Sequence, residues 1–181
     1  MDALLALDGH PAWTGWRGPT AGSSWLHMAT SYRLDPLTLV PFLQQQGLSL
    51  EELDGKGRSC LSYVFNGPVE GRCAWLKALT HAGLPVNHPT QAGQTAVSMA
   101  VLRRDIKAFD WLLEAGADAT SEDHRRVRKA NERELVERFW EAFGRPWSSE
   151  ELTLDLLDAC HEGRWAHVDL LLDLGANALA T

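Results

Sequence analysis

Histidine and cysteine are the side chains best able to do chemistry near neutral pH, and this chain has seven of the first and three of the second. Either needs company to act: a base beside a nucleophile, or ligands converging on a metal. His27 invites a reading as a general base, but nothing in the sequence pairs it with a nucleophile, and Cys60 reads as a packed residue. Cys160-His161 with His167 offers metal donors, yet their separation matches no familiar zinc pair, and neither Cys-X-X-Cys nor His-X-X-X-His occurs. His81 and His88 fall at a loop and a helix end and lack partners in the same way. Glu51-Glu52 and Glu150-Glu151 are adjacent, so on a helix they face different directions; they read as charges at helix starts, where the backbone dipole favours them. Gly55-Lys56-Gly57 is too short to cradle a phosphate and reads as a turn. No catalytic residue, metal or cofactor is therefore expected. One basic run remains, Arg125-Arg126-Val127-Arg128-Lys129. It reads first as a solvated helix face paired with nearby Glu, then as a contact for an acidic partner, and last as a nucleic-acid site.

Helices must position these residues. The clearest stretch is Gly93 to Thr120. A turn at Gly93-Gln94 leads into a helix over 95–103, and a second helix runs over 105–115 until Gly116 stops it. Ile106, Phe109, Leu112 and Leu113 recur at three- and four-residue spacing and make one apolar face. Two helices this short bury little alone, so the unit needs neighbours. They are present. Gly-X-Ser-X-Leu occurs at Gly22 to Leu26 and at Gly57 to Leu61, aligned with Gly93 to Val97. Helix-ending glycines recur at Gly47, Gly83, Gly116, Gly144 and Gly175. Such spacing, roughly 30 residues, is that of a repeat array.

The remaining helices follow from the same signals. Helices are predicted over 25–33 and 37–46, with Pro36 in the first turn and Pro41 kinking the second or moving its start. A helix over 60–65 is interrupted at Asn66-Gly67-Pro68, a loop that is either drifted or a binding feature. Later helices are predicted over 122–130, 132–143, from Ser148 or Ser149 to 161, and 165–174, with one of Leu170, Leu171 and Leu172 facing outward. A short helix over 2–7 is predicted to cap the first repeat, with Trp13 and Trp16 folding back onto it. Trp75, Trp111, Trp140 and Trp165 fall at apolar helix positions and are expected in the core.

Composition sets the class. With 181 residues, 45% hydrophobic and 23% charged, the chain reads as one soluble globular domain. Its net charge of -7 speaks against nucleic acid and permits a basic protein partner. Three scattered cysteines fit a reducing, cytoplasmic setting. The first residues lack a basic region before their short apolar run, so no signal peptide is expected. No apolar run reaches the roughly 20 residues of a membrane span.

Several segments together carry a resemblance. Ser24-Trp25-Leu26-His27-Met28-Ala29, Leu112-Leu113-Glu114-Ala115-Gly116-Ala117-Asp118 and Leu171-Leu172-Asp173-Leu174-Gly175-Ala176-Asn177 resemble the two halves of the ankyrin-repeat signature, and Gly83-Leu84-Pro85-Val86-Asn87 keeps its ends. The resemblance spans about residues 20–178. It implies an all-α solenoid of about five helix-turn-helix repeats with short hairpin loops. These are 20–53, 54–89, 90–120, a degenerate fourth repeat without a hairpin over 121–147, and 148–181, after a cap and loop over 1–19. It also implies that His27 is structural, bonding the backbone near the turn, and that Cys60 stands where the family has proline.

Members of that family resemble a cupped hand that binds proteins with hairpin tips and first helices. Carried onto matching positions, the candidates are Ser31 and Tyr32, with Thr20, Ala21 and Ser23 beside them; Lys56, Arg58 and Asn66; Gln91, Gln94, Leu102 and Arg103; and His161 and Glu162. The expected function is non-catalytic protein binding, in particular a dedicated inhibitor such as an immunity protein that neutralises a toxin. A scaffold or a secreted effector engaging host proteins is the alternative, and a ligand-binding or enzymatic solenoid the remote one.

Overall fold

The computed structural model describes residues 22–30, 35–130, 133–144 and 148–178. The cap predicted over 2–7, Trp13 and Trp16, and the candidates Thr20, Ala21, Ser31 and Tyr32 lie outside the described residues. Those residues form ten helices and no strand: α1 Trp25–Ala29, α2 Pro36–Gln45, α3 Cys60–Asn66, α4 Arg72–His81, α5 Ala96–Leu102, α6 Ile106–Glu114, α7 Ser121–Val127, α8 Arg133–Phe143, α9 Ser149–His161 and α10 Trp165–Asp173. The fold is all-α.

Local chemistry sets the helix ends. Asp35 accepts the Leu37 N–H at 3.2 Å, and Asp105 accepts that of Ala108 at 3.0 Å, each satisfying a donor that the first turn leaves free. Thr120 with Asp123 and Ser148 with Glu151 form capping boxes at the starts of α7 and α9. The five predicted stop glycines all stand in the left-handed region, with φ from 77° at Gly116 to 102° at Gly83. At four of them the next residue bonds back to the last turn. Leu48 reaches Leu43 O, Leu84 reaches Leu79 O, Ala117 reaches Leu112 O, and Ala176 reaches Leu171 O, all at 2.9–3.1 Å. In each pair both residues are buried, so one motif closes the helix and returns the chain to the core.

The helices pack in two rows. The first helices α1, α3, α5 and α7 lie successively against one another, as do the second helices α2, α4 and α6. Between the rows runs one apolar cluster that includes Leu26, Leu43, Leu61, Leu76, Phe109, Val127, Phe139 and Trp140. The last pair, α9 and α10, pack on each other around a separate small cluster of Leu152, Leu156, Ala159, Leu171 and Ala176.

Three expectations are corrected, and one of the two outcomes expected at Pro41, a moved helix start, is excluded. Trp165 is 68% exposed, because it lies on the opposite side of α10 from the buried His167, Leu170 and Leu171. Trp111 is half-buried at the edge of the large cluster, while Trp75 and Trp140 are buried. Helix α2 starts at Pro36 and runs through Pro41 to Gln45. Pro41 sits on the exposed side, where water can serve the carbonyl that its ring leaves unbonded. Ser23, placed among the surface candidates, is fully buried beneath the start of α1. Of the three consecutive leucines, Leu170 and Leu171 are buried and Leu172 faces out, as the spacing predicts.

The loop after α3 is built in by Arg72. Its guanidinium donates to the carbonyls of Val64, Phe65 and Gly67 at 3.2–3.3 Å and pairs with Asp105 at the start of α6. A buried arginine is tolerable only when its donors are met, and here three carbonyls and a carboxylate meet them.

Candidate functional site

Two hairpin tips project beside the first helices. In one, Asp54 N–H bonds Arg58 O at 2.9 Å; in the next, Thr90 N–H bonds Gln94 O at 2.8 Å. The tips are joined, since Gln91 N–H donates to Gly57 O at 2.8 Å. This is a close approach: a Cβ at Gly57 would come within 2.3 Å of the Gln91 amide, at φ 70°. Glycine is required there for both reasons.

The tips and helices α3, α5 and α7 enclose a cleft of about 510 Å³. Six of the predicted site residues line it: Lys56 and Arg58 on the first tip, Asn66 at the end of α3, Gln94 at the second tip, and Leu102 and Arg103 at the end of α5. Leu102 is 41% exposed. Gln91 stands at the tip junction without lining the cleft. His161 and Glu162 are exposed at the end of α9 and do not line it either; Glu162 pairs with Arg164 at 2.6 Å.

The first tip is held by a buried carboxylate. Asp54 accepts the N–H groups of Lys56 and Arg58 through Oδ1 at 2.8 and 2.9 Å, and Arg58 Nε and the Tyr63 hydroxyl through Oδ2 at 2.8 Å each. Burial pushes the Asp54 pKa up. The Arg58 N–H and guanidinium, the Tyr63 hydroxyl and the Lys56 N–H outweigh it and hold the carboxyl at about 2. Arg58 also lies 4.8 Å over the Tyr63 ring. Its head group is thus fixed by an ion pair, a hydrogen bond and a ring face before any partner arrives. Arg103 donates to Asn66 Oδ1 across the gap between α5 and α3.

Other lining residues are not singled out for this surface by the sequence, Arg126, Met99 and Ser62 among them. Arg126 was read as part of a solvated face, and it does pair with Glu122, as does Arg125. It also reaches the cleft, because α7 packs directly on α5. Met99 and Ser62 lie on the inner sides of α5 and α3, where spacing alone marks them as core. A signal for Arg126 existed: Thr120 begins α7 as Thr95 begins α5, and that alignment lays α7 beside the cleft.

The histidines and cysteines lie elsewhere. His27 Nδ1 accepts the Ser24 N–H at 3.2 Å and bonds the Ser24 hydroxyl at 2.8 Å, and its ring meets Tyr63 edge-on at 5.0 Å. Burial lowers its pKa, with Asp54 opposing. Cys60 is fully buried, and burial lifts its thiol to about 12, far from a thiolate at neutral pH. Among the described residues, no group of three or more His, Cys, Asp or Glu is placed to hold a metal, and no helix is long and apolar enough to cross a membrane. The cleft lining offers cations, amides, hydroxyls and apolar carbons, which recognise by charge and hydrogen bonding. Neither a family model nor a curated protein sequence matches the chain.

Proposed function

We propose that this chain is a non-catalytic protein-binding domain of the ankyrin-repeat kind, and that it engages its partner through the cleft between the hairpin tips and the first helices. One observation carries the reading. Consecutive hairpin tips, bonded to each other through Gln91 and Gly57, and three consecutive first helices all contribute side chains to one surface. That arrangement presents a preformed face of arginine, amide and apolar groups, and arginine is among the residues enriched at binding hot spots. In the specific form we favour, the domain is a cytoplasmic inhibitor dedicated to one partner, such as an immunity protein bound to a toxin. Its irregular repeats suit a surface fitted to a single target.

Co-purification from the native host with mass spectrometry tests this. One stoichiometric partner carrying an enzymatic domain supports the inhibitor. Several substoichiometric partners support an adaptor instead. No protein partner at all overturns the reading and turns attention to small ligands in the cleft.

A further inference from the structure

The chain as a whole carries a net charge of -7, but the cleft carries the opposite sign. Four of its lining residues are cationic: Lys56, Arg58, Arg103 and Arg126. Two of them are matched by carboxylates, Arg58 by Asp54 and Arg126 by Glu122. The other two, Lys56 and Arg103, form no ion pair with any described residue. Arg103 is nevertheless held in place, because its guanidinium donates to the side-chain oxygen of Asn66. A neutral acceptor positions the group without cancelling its charge. A cation fixed in this way is ready for an anion, since little side-chain entropy remains to be lost.

A second observation points the same way: no carboxylate is among the described residues that line the cleft.

We infer that the cleft takes an extended acidic segment of a partner protein, with carboxylates facing Lys56 and Arg103 and an apolar side chain on Leu102 and Met99. This rests on the protein-binding reading above and names the chemistry of the partner. It also reverses the basic partner that the overall charge suggests, because recognition follows the local charge at the contact rather than the sum over the chain. A nucleic acid fits the lining less well. Single strands are held by exposed aromatic faces and a continuous cationic track. The one aromatic among the described lining residues, Phe65, is 2% exposed, and the acidic remainder of the chain repels a phosphate backbone.

The test is selection of a displayed random-peptide library on the wild-type domain. Expected winners carry Asp or Glu next to leucine or an aromatic residue, and their affinity falls steeply with added salt. They bind Arg103→Glu at least tenfold more weakly, and Lys56→Glu likewise. Exchanging the critical peptide carboxylate for lysine restores part of the binding to Arg103→Glu. Both variants change exposed side chains, and circular dichroism with thermal melting verifies that they fold. Winners rich in Lys or Arg, or acidic winners indifferent to both variants, overturn the inference while leaving protein binding intact. A labelled single-stranded oligonucleotide that binds more tightly than every selected peptide overturns it in favour of nucleic acid. An empty selection, together with a native co-purification that brings down no partner, overturns both readings.

Discussion

The hairpin half of the molecule, α1 to α6, and the last pair, α9 and α10, are built from the same kind of helix pair but held differently. In the hairpin half the apolar side chains of successive pairs merge into one cluster, and a carboxylate locks a hairpin tip. The last pair keeps its own small cluster, while Leu170 belongs to the large one and Leu174 packs against both. Charged ties join the pair to the rest as well: Arg128, at the end of α7, pairs with Asp155 and Glu151, and Arg133 on α8 pairs with Asp173. Merged apolar packing makes neighbouring pairs stand or fall together. Fewer shared apolar contacts and the exposed Arg133–Asp173 link hold the last pair less firmly, so it can open alone. The half that holds the cleft is thus the half that cooperates.

Between the two halves stands Asp123, fully buried at the start of α7. It accepts from Thr95 N–H at 2.8 Å, Thr95 Oγ1 at 2.7 Å, Ser98 Oγ at 2.5 Å and Thr120 N–H at 3.0 Å. This one carboxylate closes the start of its own helix and ties it to α5. It takes the place in its helix that His27 takes in α1, three residues after the cap.

The largest expected effect comes from the merged core. Phe109 is fully buried there, and Phe109→Ala should cost about 3–5 kcal/mol, read as one shifted denaturant transition shared by α1 to α6. A loss confined to α5 and α6 would break the comparison. Next, Leu156→Ala removes the centre of the small cluster and should cost about 2–3 kcal/mol. Hydrogen exchange should then quicken in α9 and α10 while amides in α3 to α6 keep their protection. Uniform quickening would show that the two halves are one cooperative unit.

Acid should separate the halves with a smaller effect. Burial lowers the pKa of His27 and His167 from the usual 6.5, so the folded state favours their neutral form. That stability is full above pH 6.5 and declines as pH falls through it, in both halves. Asp54 works only in the hairpin half. With its carboxyl at about 2 against 3.8 when unfolded, its contribution of about 2 kcal/mol is full above pH 3.8 and lost as pH falls toward 2. Asp54→Asn should lower stability at neutral pH by about that amount and remove the low-pH arm alone, as followed by urea midpoints across pH. A low-pH arm that survives the substitution would place its origin outside the first hairpin.

Much of the fold was legible in the sequence because it is local. Gly47, Gly83, Gly116, Gly144 and Gly175 each stop a helix for reasons contained in a few residues, and the leucine four residues before each of them except Gly144 marks the buried face. Trp165 was misplaced because hydrophobicity was read without the helix phase that His167, Leu170 and Leu171 define. Six of the predicted surface residues, Lys56, Arg58, Asn66, Gln94, Leu102 and Arg103, share the cleft, and they lie on adjacent pairs. His161 and Glu162 do not line it.

The sequence by itself determined where helices start and stop and which faces they bury, since caps, glycines and apolar spacing act within a turn or two of the chain. Only the tertiary structure decided that Lys56, Arg103 and Arg126 share one surface, and that an acidic chain presents a cationic cleft. Those residues lie far apart in sequence, on a hairpin tip and the ends of two helices. The side-by-side packing of α3, α5 and α7, which no local spacing encodes, is what gathers their charges.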